Sequence, residues 1–136
     1  MTSIMIMDGQ GGGIGKAIIK RLRDEYGEDI EILALGTNSL ATSQMMKAGA
    51  NKGATGENAI ANMSLSVDII VGPLAIIMAN SMMGEVTPRM AEAISSSNAL
   101  KILLPLTREK VMLLGVSDEP LPHLIERLIK TIKEVL

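Results

Sequence analysis

The chain contains no cysteine, phenylalanine or tryptophan, and it holds one tyrosine and one histidine. The missing cysteines exclude disulfides and thiolate metal sites, which suits a reducing cytoplasm. The missing aromatics remove the platforms on which bases stack, and the 13 lysines and arginines are scattered instead of forming a stripe. Together with a formal net charge of -2, this argues against a nucleic-acid partner. A membrane-spanning run is missing too: the most apolar segment, Val67 to Met83, is interrupted by Gly72-Pro73 and Asn80-Ser81 and is too short to cross a bilayer. No basic leader precedes the first apolar run, so no signal peptide is expected and a cytoplasmic location is. His123 has no neighbours at ligand spacing, so no metal site is expected.

What is present fits a soluble domain. At 136 residues, 47% hydrophobic and 21% charged, the chain has the length and composition of one such domain, residues 1–136. Eleven methionines stand in for the aromatics. Methionine is flexible and specifies packing less sharply than branched or ring side chains, so the core should be adaptable or some methionines should line a contact surface. Met78, Met82, Met83 and Met90 fit either a core or a homodimer surface.

The chain is organised around its first stretch. Apolar residues Ile4 to Met7 break at Asp8 into Gly9-Gln10-Gly11-Gly12-Gly13-Ile14-Gly15-Lys16, after which apolar residues recur at helical spacing. A strand, a glycine-rich turn and a helix start make an anion site from backbone alone, because successive N–H groups can converge on a phosphate and the helix dipole adds to their pull. The first helix should run from about Gly13 to Tyr26, with Gly27 as its C-cap. A second strand, Ile30 to Leu35, leads through the turn Gly36-Thr37-Asn38-Ser39 to a helix over Leu40 to Ala48. A short edge strand near Asn51 to Gly53 and a short helix from Glu57 to Met63 follow. The fourth strand, Val67 to Val71, ends in Gly72-Pro73, which opens a helix through Leu74 to Met83; Thr87 caps the next helix, with Pro88 at its first position. Lys101 to Leu106 and Val111 to Val116 read as strands five and six, too close together for a crossover helix and therefore antiparallel. The last helix covers about Pro122 to Val135.

This alternation predicts a Rossmann-like three-layer α/β sandwich, its mostly parallel sheet ordered 3-2-1-4-5 with the sixth strand as an antiparallel edge. Strands one and four then adjoin at the topological switch point. The glycine loop and the Gly72-Pro73 turn share one crevice, with Thr37, Asn38, Thr55, Glu57, Asn58 and Asn80 within reach of its rim.

The G-x-G-x-x-G pattern fails, since Ile14 stands where its third glycine belongs, whereas the wider G-x-x-x-G-x-G fits at Gly9, Gly13 and Gly15. The run Asp8 to Gly15 resembles the nucleotide loop of short-chain dehydrogenases, Thr-Gly-x-x-x-Gly-Ile-Gly. That family's Tyr-x-x-x-Lys is absent, as Tyr26 is followed four residues later by Ile30, so its chemistry is not implied. A Walker A pattern ending at Gly15-Lys16 is excluded by Gln10 and Ala17. No acid ends the second strand to hold an NAD ribose; the neutral turn Gly36 to Ser39 better suits a 2′-phosphate or a ligand that is not a dinucleotide, or simply caps the next helix. Over its whole length the chain resembles an uncharacterised bacterial domain-of-unknown-function family with a Rossmann-like fold. That likeness rests on Asp8 to Lys16, Ala34-Leu35-Gly36-Thr37-Asn38-Ser39, Gly53-Ala54-Thr55-Gly56-Glu57-Asn58-Ala59-Ile60 and Gly72-Pro73, and it brings no activity with it.

The expected site for a nucleotide or other small phosphorylated ligand comprises Asp8, Gly9, Gln10, Gly11, Gly12, Gly13, Ile14, Gly15 and Lys16, then Gly36, Thr37, Asn38, Ser39, Thr55, Glu57, Asn58, Gly72 and Pro73. Each has a blander alternative: glycines for a tight turn, Asp8 as a turn cap, Lys16 as a solvated lysine, Glu57 as a helix-start acid. No acid/base or nucleophile constellation stands out, so a sensing or carrier module is expected. The alternatives are an NADP-linked or other nucleotide-dependent enzyme using Asp8, Lys16 or Glu57, and a structural or interaction protein whose loop binds nothing. A homo-oligomer is expected.

Overall fold

The first strand, β1 (Ser3–Asp8), is apolar without interruption because both of its faces are covered. Ile4 and Ile6 enter one core cluster and Met5 and Met7 another, as the two-residue period of a strand requires. The computed structural model describes all 136 residues. After β1 come α1 (Gly13–Tyr26), β2 (Glu31–Gly36), α2 (Ser39–Lys47), β3 (Lys52–Thr55), α3 (Glu57–Met63), β4 (Ile69–Pro73), a 3-10 turn at Leu74–Ile77, α4 (Pro88–Ser96), β5 (Leu100–Leu104) and α5 (Leu121–Val135). The strands form one parallel sheet in the order β3-β2-β1-β4-β5. This is the expected Rossmann-like sandwich, and the weakly patterned third strand is real, pairing through Leu33↔Lys52 to Gly36↔Thr55.

Ile18, Ile19 and Leu22 of α1, Met45 of α2, and Leu124, Leu128 and Ile132 of α5 cover one face of the sheet. Ile60 of α3 and Met90, Ala91 and Ile94 of α4 cover the other. No aromatic ring is among the buried residues of either core, Tyr26 packing only at the edge of the first, and Met5, Met7 and Met45 are fully buried within them. Met90 is likewise buried, whereas Met83 is 97% exposed. No helix is long and apolar enough to cross a membrane.

Arg23 ties the bottom of the first βαβ unit together. Its guanidinium donates to the carbonyls of Gly49 (2.7 Å), Gly27 (2.8 Å) and Ile30 (3.1 Å), and also reaches the Asn51 side chain. The Asn51 oxygen in turn accepts from the Ile32 amide at 2.8 Å, fixing the entry to β3.

Two expected elements are absent. The helix over Leu74 to Met83 is a 3-10 turn that ends at Ile77 and gives way to tight turns. Asn80, Met82 and Met83 all have positive φ, and the buried Ser81 hydroxyl donates to the Ala75 carbonyl at 2.6 Å, competing with helical pairing. The sixth strand, Val111 to Val116, does not form and no antiparallel edge exists. The chain turns out of the sheet beyond Leu104, where the Leu106 amide bonds back to the Leu104 carbonyl at 2.7 Å, and runs on over the carboxyl ends of the strands. Met112 and Leu114 are 89% and 93% exposed.

Arg23→Ala should lower stability by about 1–3 kcal/mol, since three backbone carbonyls lose a charged donor. Urea unfolding should show a lower midpoint with an unchanged slope.

Candidate functional site

The turn from β1 into α1 is built on Asp8. Its buried carboxylate accepts from the Gly9 amide (2.8 Å) through Oδ1 and from the Gly15 amide (2.7 Å) through Oδ2, spanning the glycine loop from beneath. Burial pushes this carboxyl above its usual range; the N–H groups of Gly15, Gly9 and Ile14 pull it back only in part, and the nearby charge of Glu85 adds to the rise. Other loop amides are also committed. Gly12 donates to the Gly9 carbonyl (2.9 Å), Lys16 to the Gly12 carbonyl (2.9 Å), and Gln10 to Oε1 of Glu85 (2.8 Å). The amides of Gly11 and Gly13 have no hydrogen-bond partner within the chain, and both residues are exposed.

The same division separates the glycines. Gly12 has φ 74 and packs against the Ala41 backbone, while a Cβ at Gly9 would lie 2.5 Å from Thr37 Oγ1 and one at Gly15 would lie 2.5 Å from Met45 Sδ. Packing opposes a side chain at all three, and at Gly12 the backbone conformation does so as well. A Cβ at Gly11 or Gly13 would meet nothing within 4 Å, and neither has positive φ. Neither packing nor backbone conformation calls for glycine there.

Beside the loop lies a cavity of about 980 Å³ lined by Asp8 to Ile14, Pro73, Ala75, Asn80, Met82, Met83, Leu106, Thr107, Arg108, Glu109 and Leu121. It opens where β1 and β4 adjoin, at the carboxyl end of the sheet. The exposed Arg108 is the one cation on its wall and has no ion-pair partner. The segment that carries Arg108 is tied down by the Met82 amide, which donates to Glu109 Oε1 at 3.2 Å.

The expected site residues divide. Asp8, Gly9, Gln10, Gly11, Gly12, Gly13, Ile14 and Pro73 line the cavity, and Asn80 reaches its wall. Thr37 and Asn38 stand next to the loop but turn their side chains to Glu85, at 2.6 and 2.9 Å from its Oε1. Gly15 is buried under the loop, and Lys16 is exposed and outside the cavity lining. Gly36 packs on Thr42, Ser39 begins α2 in solvent, and the Thr55 hydroxyl lies 2.7 Å from that of Thr42. Glu57 pairs with Arg89 at 3.6 Å, Asn58 is exposed, and Gly72 is buried, with no room for a Cβ against the Met7 carbonyl. Glu85, Met82, Met83, Arg108 and Glu109 were not legible in advance. They reach the site from turns that follow apolar segments, 47 residues or more from their partners in the case of Glu85, with no local motif to flag them.

Glu85 brings a second carboxylate to the glycine loop itself, Glu109 standing on the cavity wall beside Arg108. Partial burial pushes Glu85 up, and the hydrogen bonds from Thr37, Gln10 and Asn38 together outweigh that, holding it below the usual glutamate range. Asp8 and Glu85 therefore shift in opposite directions. No group of three or more histidine, aspartate or glutamate side chains is placed to hold a metal ion.

These features define a Rossmann-like α/β protein with a glycine-rich loop at the switch point of its sheet. The chain belongs to the family described as Domain of unknown function (DUF3842), whose model matches residues 3–136. Comparison with curated proteins gives no match. Among solved structures, a dodecameric FMN-dependent UbiX-like decarboxylase from Escherichia coli O157:H7 is similar at 14% identity and a TM-score of 0.48, covering 98% of this chain and 94% of that one. At that score the likeness carries no functional argument.

Asp8→Ala should leave the buried amides of Gly9 and Gly15 without an acceptor, costing about 1–3 kcal/mol for each that water cannot reach. Because the folded chain keeps the Asp8 proton to higher pH than the unfolded chain, the wild-type advantage is full below the ordinary aspartate value. It shrinks as pH rises through the raised one. Unfolding midpoints of both proteins across acidic pH check the sign.

Proposed function

We propose that this chain is a single Rossmann-like domain that binds a nucleotide or another phosphorylated small molecule at the β1–α1 loop, as a sensing or carrier module. The observation that carries the reading is the pair Gly11 and Gly13: two exposed amides without partners, on glycines the fold does not require, at the edge of a cavity of about 980 Å³. A phosphate needs close approach to N–H groups, and a side chain at either position would intrude on it. Arg108 adds a cation on the same wall, beside Glu109.

A sensing or carrier role is favoured over catalysis because the candidate catalytic groups are committed elsewhere. Asp8 holds two loop amides, Glu57 is paired with Arg89, and Lys16 lies outside the cavity lining. An NADP-linked enzyme would have to draw its acid and base from other residues. A homo-oligomer accords with the exposed apolar side chains of Met83, Met112 and Leu114. A cytoplasmic location remains in keeping with the cysteine-free composition.

A thermal-unfolding panel of nucleotides and sugar phosphates should contain a stabilising ligand, adding about 2.7 kcal/mol at roughly 100 times its dissociation constant. Gly13→Val should keep the stability of the unliganded protein within about 0.5 kcal/mol and abolish the shift. Retained binding by a folded Gly13→Val protein would remove the loop from the site.

A further inference from the structure

The Glu85 carboxylate occupies a place the fold has prepared without it. Three donors from two separate turns meet at Oε1: the Gln10 amide at 2.8 Å, the Thr37 hydroxyl at 2.6 Å and the Asn38 side-chain amide at 2.9 Å. Each is held by bonds of its own. The Thr37 amide donates to the Asp8 carbonyl (3.0 Å), and Asn38 caps α2 by accepting from the Ala41 amide (2.9 Å). The second hydrogen bond of the Asn38 side-chain amide goes to the Gln10 carbonyl (2.9 Å), bracing the two turns against each other. The acceptor is mounted differently. Glu85 follows a turn in which Asn80, Met82, Met83 and Gly84 all have positive φ, and it pairs with no cation. For the three non-glycine residues that conformation is unfavourable. Gln10 is itself at φ 50, but its carbonyl is braced by Asn38, so donors held by bonds of their own meet an anion carried on a strained surface turn.

We propose that Gln10 N, Thr37 Oγ1 and Asn38 Nδ2 form an oxyanion subsite that the Glu85 carboxylate fills from within and that a phosphate group takes by displacing the 80–85 turn. A phosphate oxygen and a carboxylate oxygen make the same demand on such donors, namely short charge-assisted hydrogen bonds. The subsite adjoins the unpartnered Gly11 amide, the next residue along from Gln10, so one ligand can engage both. This rests on the reading that the glycine loop binds a phosphorylated molecule, and it adds that Glu85 competes with that molecule. The turn is anchored at its ends by the Asn80 amide on the Val86 carbonyl (2.7 Å) and by the buried Ser81, so once the Met82 amide releases Glu109 Oε1 (3.2 Å) its tip can swing out without unravelling the sheet.

The test is calorimetric titration with pyrophosphate. Glu85→Ala should bind it about tenfold more tightly than wild type or better, the scale of one competing charge-assisted hydrogen bond. Adding Thr37→Val should reverse the gain. Equal affinity overturns the proposal, and so does weaker binding, which would mean that the carboxylate itself contacts the ligand. Gly13→Val titrated alongside separates the two ideas: if it abolishes wild-type binding while Glu85→Ala brings no gain, the loop reading stands and the Glu85 proposal falls. If Glu85→Ala binds tightly whatever stands at position 13, the subsite holds and the loop reading falls. Should Glu85→Ala not fold, Glu85→Gln removes the charge at nearly constant shape, with the same expected direction. Hydrogen exchange of the wild-type protein gives an independent readout. Saturating pyrophosphate should speed exchange in residues 80–86, and unchanged exchange there with pyrophosphate bound overturns the displacement.

Discussion

The grip of the Asp8 carboxylate on the amides of Gly9 and Gly15 shapes everything above it. An aspartate at the end of a buried parallel strand would normally be a liability, since burial opposes its charge. Here two backbone N–H groups take up its oxygens, and the result is a turn pinned at both ends with its middle left open. Because the acceptor comes from below, the loop's outer rim, Gly11 and Gly13, is not consumed in holding itself together. The turn-cap role of Asp8 and the anion-site role of the loop, which look like rivals in sequence, are in this geometry two parts of one device.

Around that pin the rest of the fold is positional. β1 and β4 are neighbours and their following segments leave in different directions, so the crevice exists because of strand order and not because of any one side chain. The segments that close it come from outside the regular elements. The 80–85 turn folds back over Gly9 and hands Glu85 to the Thr37 and Asn38 side chains, while the chain after β5 brings Arg108 and Glu109 to the opposite wall. The glycine loop is therefore bordered by Glu85 on one side and, on the other, by the unpaired cation of Arg108 beside a Glu109 that is engaged by the Met82 amide. That asymmetry gives an incoming anion both an obstacle and a counter-charge.

Most of the scaffold was legible in the sequence because its signals are local or periodic. The unbroken run Ile4 to Met7 reads as a strand covered on both faces, and helices spaced between strands point to the 3-2-1-4-5 order once the weak third strand is counted. The failures have physical causes. Val111 to Val116 is strand-like in composition, but the chain turns back on itself just past Leu104 and leaves the sheet, so the apolar residues lie exposed. Leu74 to Met83 has helical apolarity, yet the Ser81 hydroxyl takes a backbone carbonyl and the following residues enter the left-handed region. The site was legible on its glycine side and at Pro73 and Asn80. Glu85 meets Gln10 across 75 residues, and Arg108 arrives on the short connection between the two expected strands, Lys101 to Leu106 and Val111 to Val116. Of the five loop glycines, sequence alone could not say which serve folding; the space around each Cβ position separates Gly9, Gly12 and Gly15 from Gly11 and Gly13.

The central claim is that the amides of Gly11 and Gly13 are held open to receive an anionic group. Amide-resolved NMR titration with pyrophosphate addresses it without recourse to any variant. The account predicts saturable shifts led by the Gly11 and Gly13 amides, with Gly15, held by Asp8, moving little. Shifts centred on another part of the surface, or none at the two glycines while pyrophosphate is demonstrably bound, would contradict it.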